Sequence, residues 1–107
     1  MGSAYDVIIV GAGASGVFTA YELIKTRPSA KVLILEKGHA LDKRKCPIDG
    51  KKIKTCLSCS ICSIVNGFGG SGSMSDGKYN ITNQFGGDLY KYVGEKEALD
   101  LMHYVDN

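Results

Sequence analysis

Two short apolar runs, YDVIIV at residues 5–10 and KVLILE at residues 31–36, flank a stretch in which Val17, Ala20, Leu23 and Ile24 recur at helical spacing. Neither run alternates with polar residues, which is the pattern of strands buried on both faces of a parallel sheet. Pro28 marks the end of the helix, because the residue before a proline is pushed out of the α region. The pattern predicts strand, helix, strand, the first half of a doubly wound α/β sheet. Residues 38–72 sustain neither period and are rich in Lys, Cys, Ser and Gly, so they are expected to form an ordered loop. Loops of this length usually carry function or are disordered. Residues 73–107 begin with a glycine-rich turn region and a short strand expected at 79–82. They end in a helix with Ala98, Leu101, Met102 and Val105 on one face and Lys96, Glu97, Asp100 and His103 off it. No internal repeat is visible.

Composition narrows the picture. At 107 residues, 44% hydrophobic and 22% charged, the chain has the size of one small domain or part of one. A net charge of +2 is too small to imply a nucleic-acid partner. Six basic residues do cluster between Lys43 and Lys54, but without interleaved aromatic residues they argue only faintly for RNA. No apolar run approaches the roughly 18 residues of a membrane span. The opening MGSAYDV lacks the charged and apolar regions of a secretory signal, so a cytoplasmic location and reduced thiols are expected.

Between the first strand and the helix stand Gly11, Gly13 and Gly16, a GxGxxG in the place where each glycine has its own task. Gly11 permits the tight turn, Gly13 leaves room for a pyrophosphate against the backbone, and Gly16 lets helix and strand pack closely. Ala12, Ala14 and Ser15 complete a loop whose helix N-terminus offers free N–H groups to phosphate. The motif alone is weak, but strand, glycines, helix, second strand and terminal acid follow in order. A carboxylate at Glu36 is placed to accept hydrogen bonds from adenosine ribose hydroxyls, with Lys37 beside the adenine. This reading gives a partial Rossmann-like FAD/NAD(P)-binding domain.

DVIIVGAGASGVFTAYEL followed by VLILEKG resembles the N-terminus of FAD-dependent oxidoreductases of the glutathione-reductase type, in which Glu commonly ends the second strand. The downstream CPIDGKKIKTCLSCSICSIVNGFGGSGSMSDGK resembles one group of bacterial FAD-dependent dehydrogenases with a CP...CxxCxxC segment and a GxGGxGxxSDGK segment. The resemblance extends from Asp6 to about Gly94. It implies that Gly69, Gly70, Ser71 and Gly72 make a second FAD contact, with Ser75, Asp76, Gly77 and Lys78 toward the flavin. Successive N–H groups in a glycine-rich turn also make an anion-binding nest on physical grounds alone. The family's returning Gly-Asp segment, which holds the flavin phosphate, has no match here. The chain is therefore expected to be an N-terminal portion of such an enzyme that self-associates or exposes an apolar face when isolated, and holds FAD weakly or not at all.

Cys46, Cys56, Cys59 and Cys62 are spaced Cx9C and CxxCxxC, four thiols within seventeen residues. That count matches a zinc site or an iron–sulfur cluster. Lys43, Arg44, Lys45, Lys51, Lys52 and Lys54 would offset the charge of four thiolates, or lower the thiol pKa values if no metal is bound. Redox-active thiols and free thiols in a basic loop are the alternatives. His39 and His103 have no partner at ligand spacing, and Asp76 next to Gly77 reads as a turn residue.

The expected function is FAD binding in the N-terminal part of an FAD-dependent oxidoreductase, with its substrate and electron partner undetermined and no residue assignable as a catalytic acid or base. Two alternatives stand beside it. One is an NAD-dependent dehydrogenase with the same fingerprint. The other is a metal-binding or RNA-contacting module in which residues 46–62 work and the βαβ unit is scaffold.

Overall fold

A computed structural model describes residue 2 and residues 4–107. The chain divides into two units, one ending at Ser75 and the other running from Asp76 to Asn107.

The first unit is built on β1 (Val7–Val10), α1 (Ala14–Thr26) and β2 (Val32–Leu35). β1 and β2 pair in parallel, with Val7 opposite Val32 and Val10 opposite Leu35. Asp6 fixes the entry to this pairing: its N–H donates to the Lys31 carbonyl, and its carboxylate accepts the Lys31 N–H at 2.8 Å. α1 stops where the proline predicts, at Thr26, and the Arg27 N–H closes its last turn on the Leu23 carbonyl.

The helix covers one side of the strand pair. Ala20 is buried, Val17 and Leu23 are half-buried, and Ile24 is 55% exposed, so the inward stripe is narrower than its spacing suggested. Ile9 lies under Gly16 on this side. The opposite face was expected to be buried and is not. Ile8, Val10 and Leu35, which alternate away from the helix, are 58%, 84% and 50% exposed. One helix can shield only one face of a sheet. The exposed apolar face expected of the chain is therefore present here.

Residues 38–75 contain single 3-10 turns at Leu41–Lys43 and Gly70–Met74 and otherwise no regular element. They are ordered by hydrogen bonds instead. The Asp49 carboxylate caps the turn that follows it, accepting N–H bonds from Lys51, Lys52 and Ile53.

In the second unit, α2 (Leu89–Val93) leads through Gly94 into α3 (Glu95–Asp106). Residues 79–82 form no strand. Thr82 and Asn83 turn back instead, the Thr82 hydroxyl accepting the Gln84 N–H and the Asn83 amide donating to the Glu95 carbonyl. Ala98 is buried and Leu99 and Met102 are half-buried, whereas Leu101 and Val105 are each 41% exposed. The inward face of α3 is thus turned toward Leu99. Asp76 forms the turn expected of it, pairing with Lys78 at 3.2 Å.

Candidate functional site

The loop after β1 rises into α1 through Gly11, at φ 98°, a conformation that glycine adopts without penalty. The N-cap is Gly13, which brings no side-chain hydrogen bond, and the first turn of α1 holds no acidic residue. The first N–H groups of a helix have no intrahelical acceptor, so this end presents donors and a positive dipole end. Gly11 and Gly13 line a cleft of about 300 Å³ together with Glu36 and Lys37. A Cβ on Gly13 would meet nothing within 4 Å, so the space in front of it is open.

The far wall of this cleft is formed by Val65, Asn66, Gly67 and Gly70, contributed by the cysteine-rich loop. Glu36 ties that wall to the glycine loop. Its Oε2 accepts the Ala12 N–H at 2.8 Å, and its Oε1 accepts the N–H groups of Gly38 at 2.9 Å and Gly67 at 3.1 Å. The Ala12 hydrogen bond first, then that of Gly38, hold the Glu36 carboxyl below its ordinary range, with Gly67 and the nearby Lys37 charge adding to them. Glu36 was legible as a strand-ending acid, but its role in fastening three separate backbone segments was not.

A group whose pKa is lowered by folding contributes stability above the unfolded pKa and loses it as pH falls through the folded value. Resistance to denaturant is therefore expected to fall as pH drops from about 5 toward about 3, and Glu36→Gln is expected to remove that part of the pH dependence. A variant with the same acid profile as the parent chain would contradict the assignment.

The second organiser is Arg44, which is 4% exposed. It is turned inward among backbone carbonyls, with its charge also reaching Cys62. Its Nε donates to the Ser63 carbonyl at 2.8 Å, Nη1 to those of Phe68 at 2.8 Å and Gly70 at 2.7 Å, and Nη2 to that of Ile64 at 2.8 Å. The guanidinium gathers residues 63–70 around itself and so shapes the wall. Gly67 passes so close that a Cβ there would lie 2.6 Å from Arg44 Cδ.

The glycine-rich stretch divides. The Gly69 N–H donates to the Ala12 carbonyl at 2.7 Å, and Gly70 lines the cleft with its Cα side 3.0 Å from Gly13 Cα, measured from an ideal Cβ. Ser71 and Gly72 lie in the exposed 3-10 turn and do not line the cleft. Ala12 is buried and faces inward, Ala14 and Ser15 begin α1 on its exposed side, and Gly16 packs against Gly11.

The four cysteines line one smaller cleft of about 110 Å³, beside Pro47 and Leu57. Among the described residues, no three or more His, Cys, Asp or Glu side chains stand where they could hold a metal ion. Cys46, Cys56 and Cys59 sit exposed on irregular backbone, and Cys62 is half-buried. The N–H groups of Val65 and Ile64, with a smaller contribution from the Arg44 charge, draw the Cys62 thiol pKa down. The Ser58 N–H points at Cys56 Sγ, at 3.4 Å.

The arrangement is a βαβ turn opening on a cleft, with an acid at the end of the second strand. Residues 6–43 match the family described as FAD dependent oxidoreductase. Over 39 residues the chain is 46% identical to an uncharacterized protein of Acanthamoeba polyphaga mimivirus, covering 36% of this chain and 8% of that one. The thiamine thiazole synthase of Yarrowia lipolytica is 51% identical over 35 residues, 33% of this chain and 11% of the relative. That of Emericella nidulans is 58% identical over 31 residues, 29% and 9%. The matched segment thus spans about a tenth of each relative. No solved structure matches the chain. Among the described residues, no helix is long and apolar enough to cross a membrane.

Proposed function

We propose that residues 6–70 form the adenosine-diphosphate side of an FAD site in an oxidoreductase, whose substrate and electron partner are set by other parts of the protein. The observation that carries this reading is the uncapped N-terminus of α1 opening on the cleft lined by Gly11, Gly13, Glu36 and Gly70. The match of residues 6–43 to the FAD dependent oxidoreductase family supports FAD over NAD.

The residues present fit the group. The open space at Gly13 and the N–H groups of the first turn of α1 suit a pyrophosphate, a doubly charged anion. Glu36 Oε2 accepts one protein N–H, and a carboxylate oxygen has capacity for a second, which a ribose hydroxyl would use. Gly69 supports the glycine loop through its N–H to the Ala12 carbonyl, and Gly70 lines the cleft. When bound, FAD supplies the hydride or single-electron chemistry, and the protein contributes binding and orientation. Lys37 and Val65 border the same cleft and would flank the adenine end.

Gly13→Leu tests this directly. The added side chain meets no protein atom near its Cβ, so the fold is retained while the cleft is filled. Calorimetric titration of ADP is expected to show roughly a hundredfold loss of affinity, about 2.7 kcal/mol, with an unchanged unfolding midpoint. Equal ADP affinity in the two proteins would remove the basis for the reading.

A further inference from the structure

The second unit has a cleft of its own that the dinucleotide reading does not use. About 450 Å³ in volume, it lies between the turn at Thr82 and Asn83 and the two helices, which contribute Tyr90, Glu95 and Leu99. That size suits a small molecule. Ile81, Tyr90 and Leu99, all half-buried, make its apolar part.

One of its polar groups is unsatisfied. Asn83 Nδ2 donates to the Glu95 carbonyl at 3.2 Å, which fixes the orientation of the amide, since turned over it would set oxygen against oxygen. Asn83 Oδ1 is thereby left buried and, among the described residues, without a donor. Buried acceptors are nearly always satisfied, so this one calls for a partner. It meets no bulk water, and the donor must be a group held against Asn83 itself.

Charge says what kind of group. The unit carries three lysines and six acidic side chains, and each lysine stands at an aspartate: Lys78 at Asp76, Lys91 at Asp88 and Lys96 at Asp100. Lys91, whose ammonium lies 6.0 Å from the centre of the Tyr90 ring, is thus already neutralised, at 2.9 Å. Glu95 has no such counter-ion among the described residues, and of the remaining acids, Glu95, Glu97 and Asp106, it alone lines the cleft. Among the described residues, no lysine, arginine or histidine lines it. A bare calcium ion would find too few ligands, since it takes six to eight oxygens and no three His, Cys, Asp or Glu side chains converge among the described residues.

We propose that this cleft binds a small organic amine in its ammonium form. The Glu95 carboxylate is its counter-ion, Asn83 Oδ1 accepts one of its N–H groups, and its hydrocarbon part lies against Ile81, Tyr90 and Leu99. A carboxylate on the ligand is disfavoured, because the cleft offers it no cation. The class is therefore an amine without an acid group.

The test uses the full chain, labelled with nitrogen-15, and n-butylammonium as the probe, with no dinucleotide added. Titration followed by magnetic resonance is expected to shift the Asn83 side-chain amide signals and the backbone signals of residues 81–84 and 95–99 saturably. Butyrate is expected to leave them in place, and butanol to bind more weakly than the amine. Glu95→Gln is expected to weaken binding about tenfold, the loss of one charged partner. Glu97→Gln, which changes the net charge equally but lies outside the cleft, is expected to change it by less than about twofold in physiological salt. Butanol or butyrate binding as tightly as butylammonium, equal affinity in Glu95→Gln and the parent, or no saturable shift at Asn83 would overturn the proposal. The comparison of the three probes needs no variant, so it decides the matter whatever Glu95→Gln does to the fold. Every readout lies in residues 81–99, so a failure of ADP to bind at the glycine loop leaves the test intact.

Discussion

Arg44→Met is expected to release the segment from Ser63 to Gly70 while leaving the βαβ unit folded. The methionine keeps the apolar volume but strips four carbonyls of a charged donor, those of Ser63, Ile64, Phe68 and Gly70, each at 2.7 or 2.8 Å. Hydrogen bonds to a charged group contribute about 1.5 to 3 kcal/mol each and do not add fully, so a local loss of about 3 kcal/mol is a conservative figure. In hydrogen exchange this corresponds to roughly a hundredfold faster exchange at residues 63–70. Arg44→Lys is expected to recover only part of the loss, because an ammonium has three donors on one atom and cannot span carbonyls on opposite sides. Lys45→Ala, at an exposed neighbouring position, is expected to change nothing. Exchange at 63–70 that is the same in Arg44→Met as in the parent chain would show that the guanidinium does not hold the wall.

Gly16→Ala is expected to act in the opposite half of the unit and more globally. The added Cβ would lie 2.0 Å from the Gly11 carbonyl oxygen and 3.3 Å from Ile9 Cγ2. The first contact is with backbone, which cannot swing aside, so α1 must lift from β1 or the glycine loop must deform. Overpacking of this kind costs about 3 kcal/mol, a large part of what a chain with so few buried side chains can have. Urea denaturation is expected to show a lower midpoint for Gly16→Ala, and ADP binding to fall with it. Gly13→Leu separates the two effects, since it blocks the cleft without this clash. If Gly16→Ala unfolded at the midpoint of the parent chain, the close approach of helix and loop would not be a feature of the folded protein.

The contrast between these residues explains what could be read from the sequence. The βαβ unit was legible because its signals are local: period, glycine spacing, a proline stop and a terminal acid within thirty-odd residues. Arg44 was not. It stands among six basic residues that look alike in sequence, and its burial depends on carbonyls that arrive 19 to 26 positions later. Glu36 was half legible, since its position follows from the strand but its hold on Gly38 and Gly67 follows from a loop whose path has no periodic signal. The same limit applies to the cysteines. Their number and spacing can be counted, but whether they converge as ligands or only share a cleft depends on irregular backbone. At α3 the difference is one of rotation: the stripe read from the sequence included Leu101 and left out Leu99, and it is Leu99 that is half-buried.

One consequence follows from Arg44 and Ser63 being joined at 2.8 Å. The eighteen residues between them leave the molecule and return to the same spot, so both ends of the excursion are pinned independently of its contents. For such a tether the entropic penalty of added length grows only logarithmically, by about 0.6 kcal/mol per doubling. Residues 45–61 are therefore a cassette, while the Cys62 carbonyl belongs to the turn of Val65 and Asn66. Insertions, deletions or a different set of side chains can be accepted there while the cleft at the glycine loop keeps its shape.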